Sequence, residues 1–356
     1  MDGTHLNNKI GIVGGGITGL ISAYFLSLEG YKVDLYEKKT LLSETSSKTT
    51  KLIHGGIRYL ENLQFHEVKN GINDRKWWLE NFPNETKLQE IIILSKKKLS
   101  PEIFKFFFGI KVYETFAGRS NIKTGRLYKQ DNLLSLGIKN NISAGISFYD
   151  GLMQESVGQE IIKRCKSNGV NFYENNEIKS IRSEGCIEEK QYKKIIIATG
   201  PWVSSFLKQN KIDTNKTIDY IKGSHLIINR KIKKGLMFRD QKKHRYIFAL
   251  PYQGNLLLGT TEQRVRSPED NHVLDSEVNY LLESINIYID RPINKDEIIK
   301  SYSGVRPLIK SKAQDFHSSS RDFYIQKDHN LLSLFGGKWT TAPSIARNIV
   351  RIVNNE

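Results

Sequence analysis

The chain begins with apolar and glycine-rich segments whose order predicts a strand, a turn, a helix and a second strand. Residues 9–15 (KIGIVGG) form a short apolar run, and residues 18–30 (TGLISAYFLSLEG) place apolar side chains at helical spacing. Residues 31–39 (YKVDLYEKK) have the pattern of another strand. A strand, a helix and a strand within about 30 residues are typical of a βαβ unit.

Helical and strand patterns recur in three later parts of the chain. Residues 154–168 predict a helix followed by a strand at 170–178, and residues 331–353 predict a strand, a Gly-Gly-Lys loop and a closing helix. Residues 66–80 predict a helix with one buried face. The apolar positions of that face are Phe65, Val68, Ile72, Leu79 and Phe82.

A different pattern predicts antiparallel pairing elsewhere. The apolar segments 245–251 (RYIFALP) and 256–262 (LLLGTTE) flank the turn YQGN, as in a β-hairpin. Residues 146–153 (ISFYDGLM) predict a further strand that faces a pocket.

The first unit carries a glycine motif suited to a dinucleotide. Residues 14–19 (GGGITG) fit G-x-G-x-x-G, in which the first glycine permits a tight turn and the second lets the backbone approach a pyrophosphate. The third lets the helix pack on the strand, and the helix N-terminus offers N–H groups to the phosphates. Glu37 ends the second strand, where an acid holds ribose hydroxyls and disfavours a 2′-phosphate.

Two later segments favour FAD over NAD as the dinucleotide. Residues 193–202 (KKIIIATGPW) predict a buried strand that ends at Ala198-Thr199-Gly200. The loop Gly336-Gly337-Lys338 leads into a second helix N-terminus, which can place positive dipole beside a reduced, anionic flavin ring. We therefore expect an α/β fold with a discontinuous Rossmann-type FAD-binding domain and a second, mainly antiparallel-sheet substrate domain. The expected ranges are 1–84, 153–205 and 325–356 for the first domain, and 85–152 and 206–324 for the second.

Composition narrows the function classes. The 356 residues are 38% hydrophobic and 26% charged, an ordinary globular balance, and no apolar run reaches the roughly 18–20 residues that cross a membrane. The net charge of +16 is spread along the chain without a basic arm, so no nucleic acid is expected. Cys165 and Cys186 have neither metal nor redox spacing, so reduced thiols and no metal are expected. The N-terminal residues do not have the pattern of a secretory signal, so an intracellular, cytoplasmic protein is expected.

Eight motifs in order along the chain resemble the FAD-dependent glycerol-3-phosphate dehydrogenases, within the wider D-amino-acid-oxidase-like group of flavoproteins. SSKTTKLIHGGIRYLE (46–61) and SGVRPL (303–308) are the more specific ones for that family. The others are GGGITGL (14–20), ATGPW (198–202), KGSHLII (222–228), LLLGTTE (256–262), SSSRDF (318–323) and FGGKWTT (335–341).

The glycine motif and the resemblance together imply a set of cofactor-binding residues. The polar loop 46–61 would follow the FAD pyrophosphate and ribitol, and His54, Gly55 and Gly56 would pass close to the flavin ring. The set is Gly14, Gly16, Thr18, Gly19, Glu37, Ser46, Ser47, Thr49, Lys51, His54, Gly200, Gly337, Lys338, Thr340 and Thr341.

The resemblance also implies a site for a phosphorylated substrate. Arginine suits it because the planar guanidinium meets phosphate with two hydrogen bonds. His54 and His225 are both candidates for the base that removes the hydroxyl proton, and Arg306 is an alternative group that polarises the oxygen. The implied substrate-binding residues are Arg58, Tyr59, Arg306, Arg321 and Lys338.

The activity implied by the resemblance is oxidation of sn-glycerol 3-phosphate to dihydroxyacetone phosphate, by hydride transfer to flavin N5 and onward transfer to a quinone. An FAD-dependent oxidase or dehydrogenase of a 2-hydroxy acid or amino acid is the alternative, followed by a flavin-bearing RNA-modifying protein suggested by the charge. Many family members continue into a helical C-terminal domain, whereas this sequence ends at Glu356, so acceptor coupling or substrate choice could differ.

A lysine- and phenylalanine-rich segment predicts peripheral binding to an anionic membrane surface, where the quinone would be met. A packed cap helix is the alternative for the same segment. Its residues are Lys96, Lys97, Lys98, Ile103, Phe104, Lys105, Phe106, Phe107, Phe108 and Lys111.

Overall fold

The structure is a computed structural model that describes residues 8–56, 65–96, 106–111, 124–240, 245–310 and 323–355. The helices are α1 Ile17–Leu28, α2 Phe65–Asn81, α3 Gln130–Leu134, α4 Ser156–Ser167, α5 Val203–Gln209, α6 Asp275–Asn286 and α7 Ala342–Asn354. The strands are β1 Lys9–Val13, β2 Lys32–Tyr36, β3 Leu52–Ile53, β4 Thr86–Ser95, β5 Leu127–Lys129, β6 Ala144–Met153, β7 Asn171–Tyr173, β8 Ile181–Arg182, β9 Cys186–Ile187, β10 Lys190–Gln191, β11 Lys194–Ile197, β12 Ile218–Ile228, β13 Gly235–Arg239, β14 Tyr246–Tyr252, β15 Asn255–Gly259, β16 Gln263–Val265, β17 Ile298–Ile309, β18 Phe323–Asp328 and β19 Leu331–Gly336.

A six-stranded sheet contains the predicted βαβ unit. Its order is β18-β19-β11-β1-β2-β7, and every pairing is parallel except β18 with β19. The inner strands β1 and β11 are buried apolar runs, as expected of parallel strands covered on both faces. Apolar side chains of α1, α4 and α7 pack in one core with this sheet, and the predicted Rossmann-type fold is confirmed.

The larger sheet has ten strands and is mainly antiparallel. Its main path is β16-β12-β15-β14-β13-β4-β6-β3, with β17 paired to β12 and β5 paired to β6. The predicted hairpin is β14–β15, where Gln253 (φ 49°) and Gly254 (φ 77°) form the left-handed turn that a two-residue hairpin loop requires. The long β12–β17 pair places Ile221 opposite Arg306 and His225 opposite Tyr302.

Sheet membership bears on the domain ranges without deciding them. The strands of the ranges 85–152 and 206–309 join the ten-stranded sheet, but β3, from the range expected in the FAD-binding domain, also joins it. The division into two domains remains a prediction.

Helix α2 packs against both the core of the six-stranded sheet, through Trp78, and the core of the ten-stranded sheet, through Val68 and Ile72. Val68, Ile72 and Phe82 are buried as predicted, whereas Leu79 is only half-buried. The same helix buries Asp74, which accepts hydrogen bonds from Ser344 (2.7 Å) and Arg347 (3.3 Å) of α7. Helix α2 is therefore fixed to the helix that follows the Gly-Gly-Lys loop.

None of the helices in the described ranges is both long and apolar enough to cross a membrane. Cys165 and Cys186 are buried free thiols. Burial raises the pKa of Cys165 to about 12, so this thiol stays protonated near neutral pH.

Candidate active site

Residues of both large sheets line one cavity of about 880 Å³. Gly14, Gly16 and Thr18 line it from the βαβ unit, and His225 and Arg306 line it from the ten-stranded sheet. The predicted cofactor residues that line it are Gly14, Gly16, Thr18, Glu37, Ser46, Thr49, His54, Gly200, Gly337, Lys338 and Thr340.

The three motif glycines have three different surroundings. Gly14 has a φ of +112°, and a Cβ there would lie 2.4 Å from the Ala198 carbonyl oxygen. A Cβ on Gly19 would lie 2.0 Å from the Gly14 carbonyl oxygen, so Gly19 serves helix–strand packing and does not line the cavity. At Gly16 a Cβ would meet only Ser46 Oγ, at 3.2 Å. Gly16 is thus the glycine whose missing side chain leaves the cavity open.

Glu37 is held at the end of β2 by backbone donors. Its Oε2 accepts a hydrogen bond from the Gly15 N–H (2.7 Å), and its Oε1 accepts one from the Lys39 N–H (2.9 Å). Each carboxylate oxygen can accept a further hydrogen bond. The side chain therefore stands oriented beside the glycine turn with capacity left for hydroxyl donors.

The polar loop that begins at Ser46 caps helix α1. Ser46 Oγ accepts a hydrogen bond from the Ile17 N–H at 3.0 Å. The Ser47 hydroxyl turns back to the carbonyls of Ser43 and Glu44, and Lys51 Nζ donates to the Ser47 carbonyl at 3.0 Å. Ser47 and Lys51 therefore support the loop from behind and do not line the cavity.

The Gly-Gly-Lys loop is tied to the same polar loop. Gly336 and Gly337 have φ values of 73° and 87°, which turn the chain out of β19 towards α7. The Trp339 indole N–H donates to the Ser46 carbonyl at 2.8 Å. The Thr341 hydroxyl accepts a hydrogen bond from the Lys338 N–H at 3.0 Å, so Thr341 orders the loop without lining the cavity.

His225 lies fully buried on β12 and is enclosed by neighbours. Its Nε2 lies 2.9 Å from Thr50 Oγ1, and its ring stacks on Tyr302 with centroids 5.0 Å apart. A Cβ on Gly259 would lie 2.4 Å from the ring Cδ2, so this glycine makes room for the imidazole. Burial, with added repulsion from Arg306, Lys51 and Arg245, lowers the pKa of His225 to about 3.

The low pKa has a chemical consequence. The imidazole of His225 is neutral near pH 7 and has a lone pair that can accept a proton. The nearby cations disfavour the protonated imidazole. An anionic substrate would counter their charge, so His225 could act as a base once such a substrate is bound.

Arg306 on β17 is held by the backbone of a neighbouring loop. One of its guanidinium nitrogens donates to the Thr261 carbonyl at 3.3 Å. A Cβ on Gly223 would lie 2.5 Å from that same nitrogen, Nη2. Gly223 thus makes room for Arg306, just as Gly259 makes room for His225.

Other cations line the cavity with Arg306: Lys338, which the resemblance implies, Arg245, Lys38, Lys39 and Lys48. Arg245 is 5% exposed, with Nη1 3.7 Å from Glu262 Oε2. Such a set of cations suits an anionic group, because charge-assisted hydrogen bonds to phosphate or carboxylate are the stronger ones.

Some implied residues lie outside the described part of the chain, and some site residues escaped the sequence analysis. Arg58, Tyr59 and Arg321 fall outside the described residues. Thr50 and Tyr302, which contact His225, and Arg245 were not predicted, because their roles depend on contacts between residues far apart along the chain. Thr50 lies within the motif SSKTTKLIHGGIRYLE, next to the predicted cofactor residue Thr49.

These residues fit an FAD. A glycine turn without a Cβ at Gly16, the N-terminus of α1 and Glu37 suit the adenosine and pyrophosphate part. The loops at His54 and Gly337 supply further cavity wall.

Comparison with known proteins agrees with this fit. The family model described as FAD dependent oxidoreductase (DAO) matches residues 9–352. The aerobic glycerol-3-phosphate dehydrogenase of Staphylococcus saprophyticus is 30% identical, over 96% of this chain and 66% of the relative. The glycerol-3-phosphate dehydrogenase of Pseudomonas tolaasii is 28% identical, over 95% of this chain and 70% of the relative. The chain thus spans about two thirds of the length of these curated relatives.

Two solved structures share the fold. The glycerol-3-phosphate dehydrogenase from Bacillus halodurans, complexed with FAD, gives a TM-score of 0.74 at 21% identity, covering 98% of this chain and 64% of that one. The L-alpha-glycerophosphate oxidase from Mycoplasma pneumoniae, with FAD bound, gives 0.77 at 20% identity, covering 97% and 94%. The chain belongs to the DAO family of FAD dependent oxidoreductases.

Proposed function

We propose that the protein oxidises a phosphorylated secondary alcohol, with sn-glycerol 3-phosphate as substrate and dihydroxyacetone phosphate as product. The observation that carries this proposal is the placement of a neutral, buried His225 and the cationic Arg306 on a cavity that also contains the glycine turn. The names of the curated relatives support the choice of substrate.

The cations would bind the substrate phosphate. Arg306 and Lys338 line the cavity, and the resemblance adds Arg58, Tyr59 and Arg321. A phosphate dianion would offset the charges that now surround His225, so substrate binding would ease protonation of the imidazole. Arg306 would thereby orient the substrate and favour the proton transfer.

His225 would take the proton of the substrate hydroxyl at a ring nitrogen. FAD, when bound, would supply the hydride acceptor, so that two electrons and one hydrogen would leave the alcohol carbon while the hydroxyl proton goes to the protein. His54 also lines the cavity and is the second candidate for the proton acceptor. The buried setting of His225 would keep competing water away from the transfer.

A quinone at an anionic membrane surface is the proposed electron acceptor. Two side chains of the helical segment 106–111 support it: Phe107 is 42% exposed and Phe108 is 69% exposed. Phe106 is buried against Tyr246, so the segment is fixed to the protein while its neighbours face outwards. Lys111 lies over the Phe107 ring and Lys96 is described, whereas Lys97, Lys98, Ile103, Phe104 and Lys105 lie outside the described residues.

Vesicle flotation tests the membrane part of the proposal. The variant Phe107→Ser/Phe108→Ser should float less with anionic vesicles at low salt than the wild type does, with unchanged dye-linked activity. A wild-type protein that does not float and reduces oxygen faster than quinone would instead be an oxidase.

A substrate screen tests the reaction itself. The purified yellow protein is mixed anaerobically with sn-glycerol 3-phosphate, with 2-hydroxy acids and with amino acids, and loss of flavin absorbance is followed. We expect fast bleaching with sn-glycerol 3-phosphate alone. Bleaching only by a carboxylated substrate would replace the proposal with the hydroxy-acid or amino-acid alternative, and copurified nucleic acid absorbing at 260 nm would favour the RNA alternative.

A further inference from the structure

A buried ion pair lies behind the cavity wall without lining it. Lys222 Nζ is 2.8 Å from Glu277 Oε2, and the two residues are 2% and 7% exposed. Lys222 also donates to the His272 carbonyl at 2.9 Å. Burying two charges costs desolvation energy that their attraction often fails to recover, so stability alone is a weak reason for this pair.

Thr261 connects the ion pair to the wall. Its Oγ1 accepts a hydrogen bond from the Ser224 N–H at 2.8 Å and lies 2.7 Å from Glu277 Oε1. Because a backbone N–H can only donate, the threonine proton is directed to the carboxylate. Lys222 holds that carboxylate in place, so the orientation of the Thr261 hydroxyl is set by charge-assisted bonds.

Thr261 also contacts both strands that carry the candidate chemistry. It pairs with Ser224, the residue before His225, through its hydroxyl and again through its own N–H to the Ser224 carbonyl at 3.2 Å. Its carbonyl accepts the hydrogen bond from Arg306. One residue thus fixes the segment of His225 and the guanidinium of Arg306 relative to each other.

We propose that Thr261, locked by the Lys222–Glu277 pair, is a positioning residue that sets the spacing between the proton acceptor His225 and the substrate-binding Arg306. This rests on the proposed function, in which both groups meet one substrate molecule. Reacting groups must be held to within about 0.5 Å to be productive, which a buried, charge-assisted network achieves and a mobile side chain does not.

Thr261→Val tests the proposal, because valine has nearly the shape of threonine but lacks the hydroxyl. Thr261→Ser keeps the hydroxyl and serves as the rescue. Thr86→Val is the matched control, since Thr86 is 4% exposed, hydrogen-bonded at 2.7 Å to the Phe82 carbonyl, and away from the cavity. Each holoenzyme is mixed anaerobically with sn-glycerol 3-phosphate, and the flavin reduction rate at saturation, FAD content and Tm are measured.

We expect Thr261→Val to reduce flavin at least tenfold more slowly than the wild type, with a Tm loss no larger than that of Thr86→Val. Thr261→Ser should stay within threefold of the wild-type rate. Should Thr261→Val fail to fold, Thr261→Ala is measured in the same way. Equal rates in the variant lacking the hydroxyl and in Thr86→Val would overturn the proposal.

A substrate-free readout separates this proposal from the proposed function. In ¹⁵N-histidine-labelled holoenzyme, the His225 signal is assigned by its loss in His225→Asn. It should coincide in wild type and Thr261→Ser and move or broaden in Thr261→Val. Were the wild type not reduced by sn-glycerol 3-phosphate, the proposed function would fail, and an unmoved signal in Thr261→Val would show separately that Thr261 does not position His225.

Discussion

The two walls of the cavity are built in different ways. The nucleotide wall at Gly14–Gly19 and Glu37 comes from one continuous stretch, and its main contacts are made by the backbone. The opposite wall joins β12, β15 and β17, and its function depends on side chains that contact residues far along the chain, such as His225 with the Thr50 hydroxyl and Arg306 with the Thr261 carbonyl. Glycine serves both walls, but it makes room for the cavity in the first and for a functional side chain in the second.

The same change, a side chain added at a glycine, should therefore have separable effects on the two walls. On the nucleotide wall it should remove the cofactor. On the opposite wall it should leave the cofactor bound and disturb the chemistry.

Gly16→Val is expected to have the largest effect, namely loss of FAD. A branched side chain at Gly16 would enter the cavity beside Ser46, where the backbone must approach a pyrophosphate. The ratio of absorbance at 450 nm to that at 280 nm in purified protein measures it. Gly16→Ala, with one methyl group, should retain part of the FAD, and full flavin content in Gly16→Val would show that the pyrophosphate binds elsewhere.

His225→Asn should retain FAD and lose the proton acceptor. General base catalysis contributes about 10²–10⁴-fold, so the anaerobic flavin reduction rate should fall by that factor. His329→Asn is the control, because the His329 side chain is 78% exposed. A rate within twofold of the wild type would transfer the role to His54.

Gly223→Ala should produce a smaller loss of roughly tenfold in kcat/KM, about 1.4 kcal/mol. The new methyl group would lie 2.5 Å from the Arg306 guanidinium and 2.3 Å from Thr260 Oγ1. Both are ends of side chains, so the protein should fold and Arg306 should shift. Gly158→Ala crowds only Leu42, outside the cavity, and should leave kcat/KM unchanged.

The pH dependence of stability tests the low pKa of His225 without a measurement of activity. The pKa of His225 is lowered from its ordinary value of 6.5 to about 3, so the unfolded chain binds this proton more tightly. The stability due to neutral His225 is therefore complete above about pH 6.5 and lost as pH falls towards 3. Urea unfolding should show a steeper loss of stability over this window in wild type than in His225→Asn, and parallel curves would contradict the low pKa.

The walls also differ in how far the sequence could predict them. The βαβ unit, Glu37 and the hairpin follow from local periodicity and turn residues, because their contacts lie close along the chain. The Thr50–His225 contact joins residues 175 positions apart in the sequence. The Lys222–Glu277 ion pair joins strand β12 to helix α6. No local pattern encodes such contacts, so the resemblance indicated His225 and Arg306 but not the residues that hold them.

In the proposed reaction, Arg306 recognises the phosphate of an alcohol that His225 deprotonates. The most direct measurement is anaerobic flavin reduction by sn-glycerol 3-phosphate and by glycerol, in wild type, in Arg306→Ala and in the control Arg264→Ala, whose guanidinium pairs with Asp219 at the exposed strand β16. We expect Arg306→Ala to lose about 2–3 kcal/mol in kcat/KM for sn-glycerol 3-phosphate, the scale of one charge-assisted contact, and almost nothing for glycerol. Equal losses for both substrates, or no loss for the phosphorylated one, would contradict the claim.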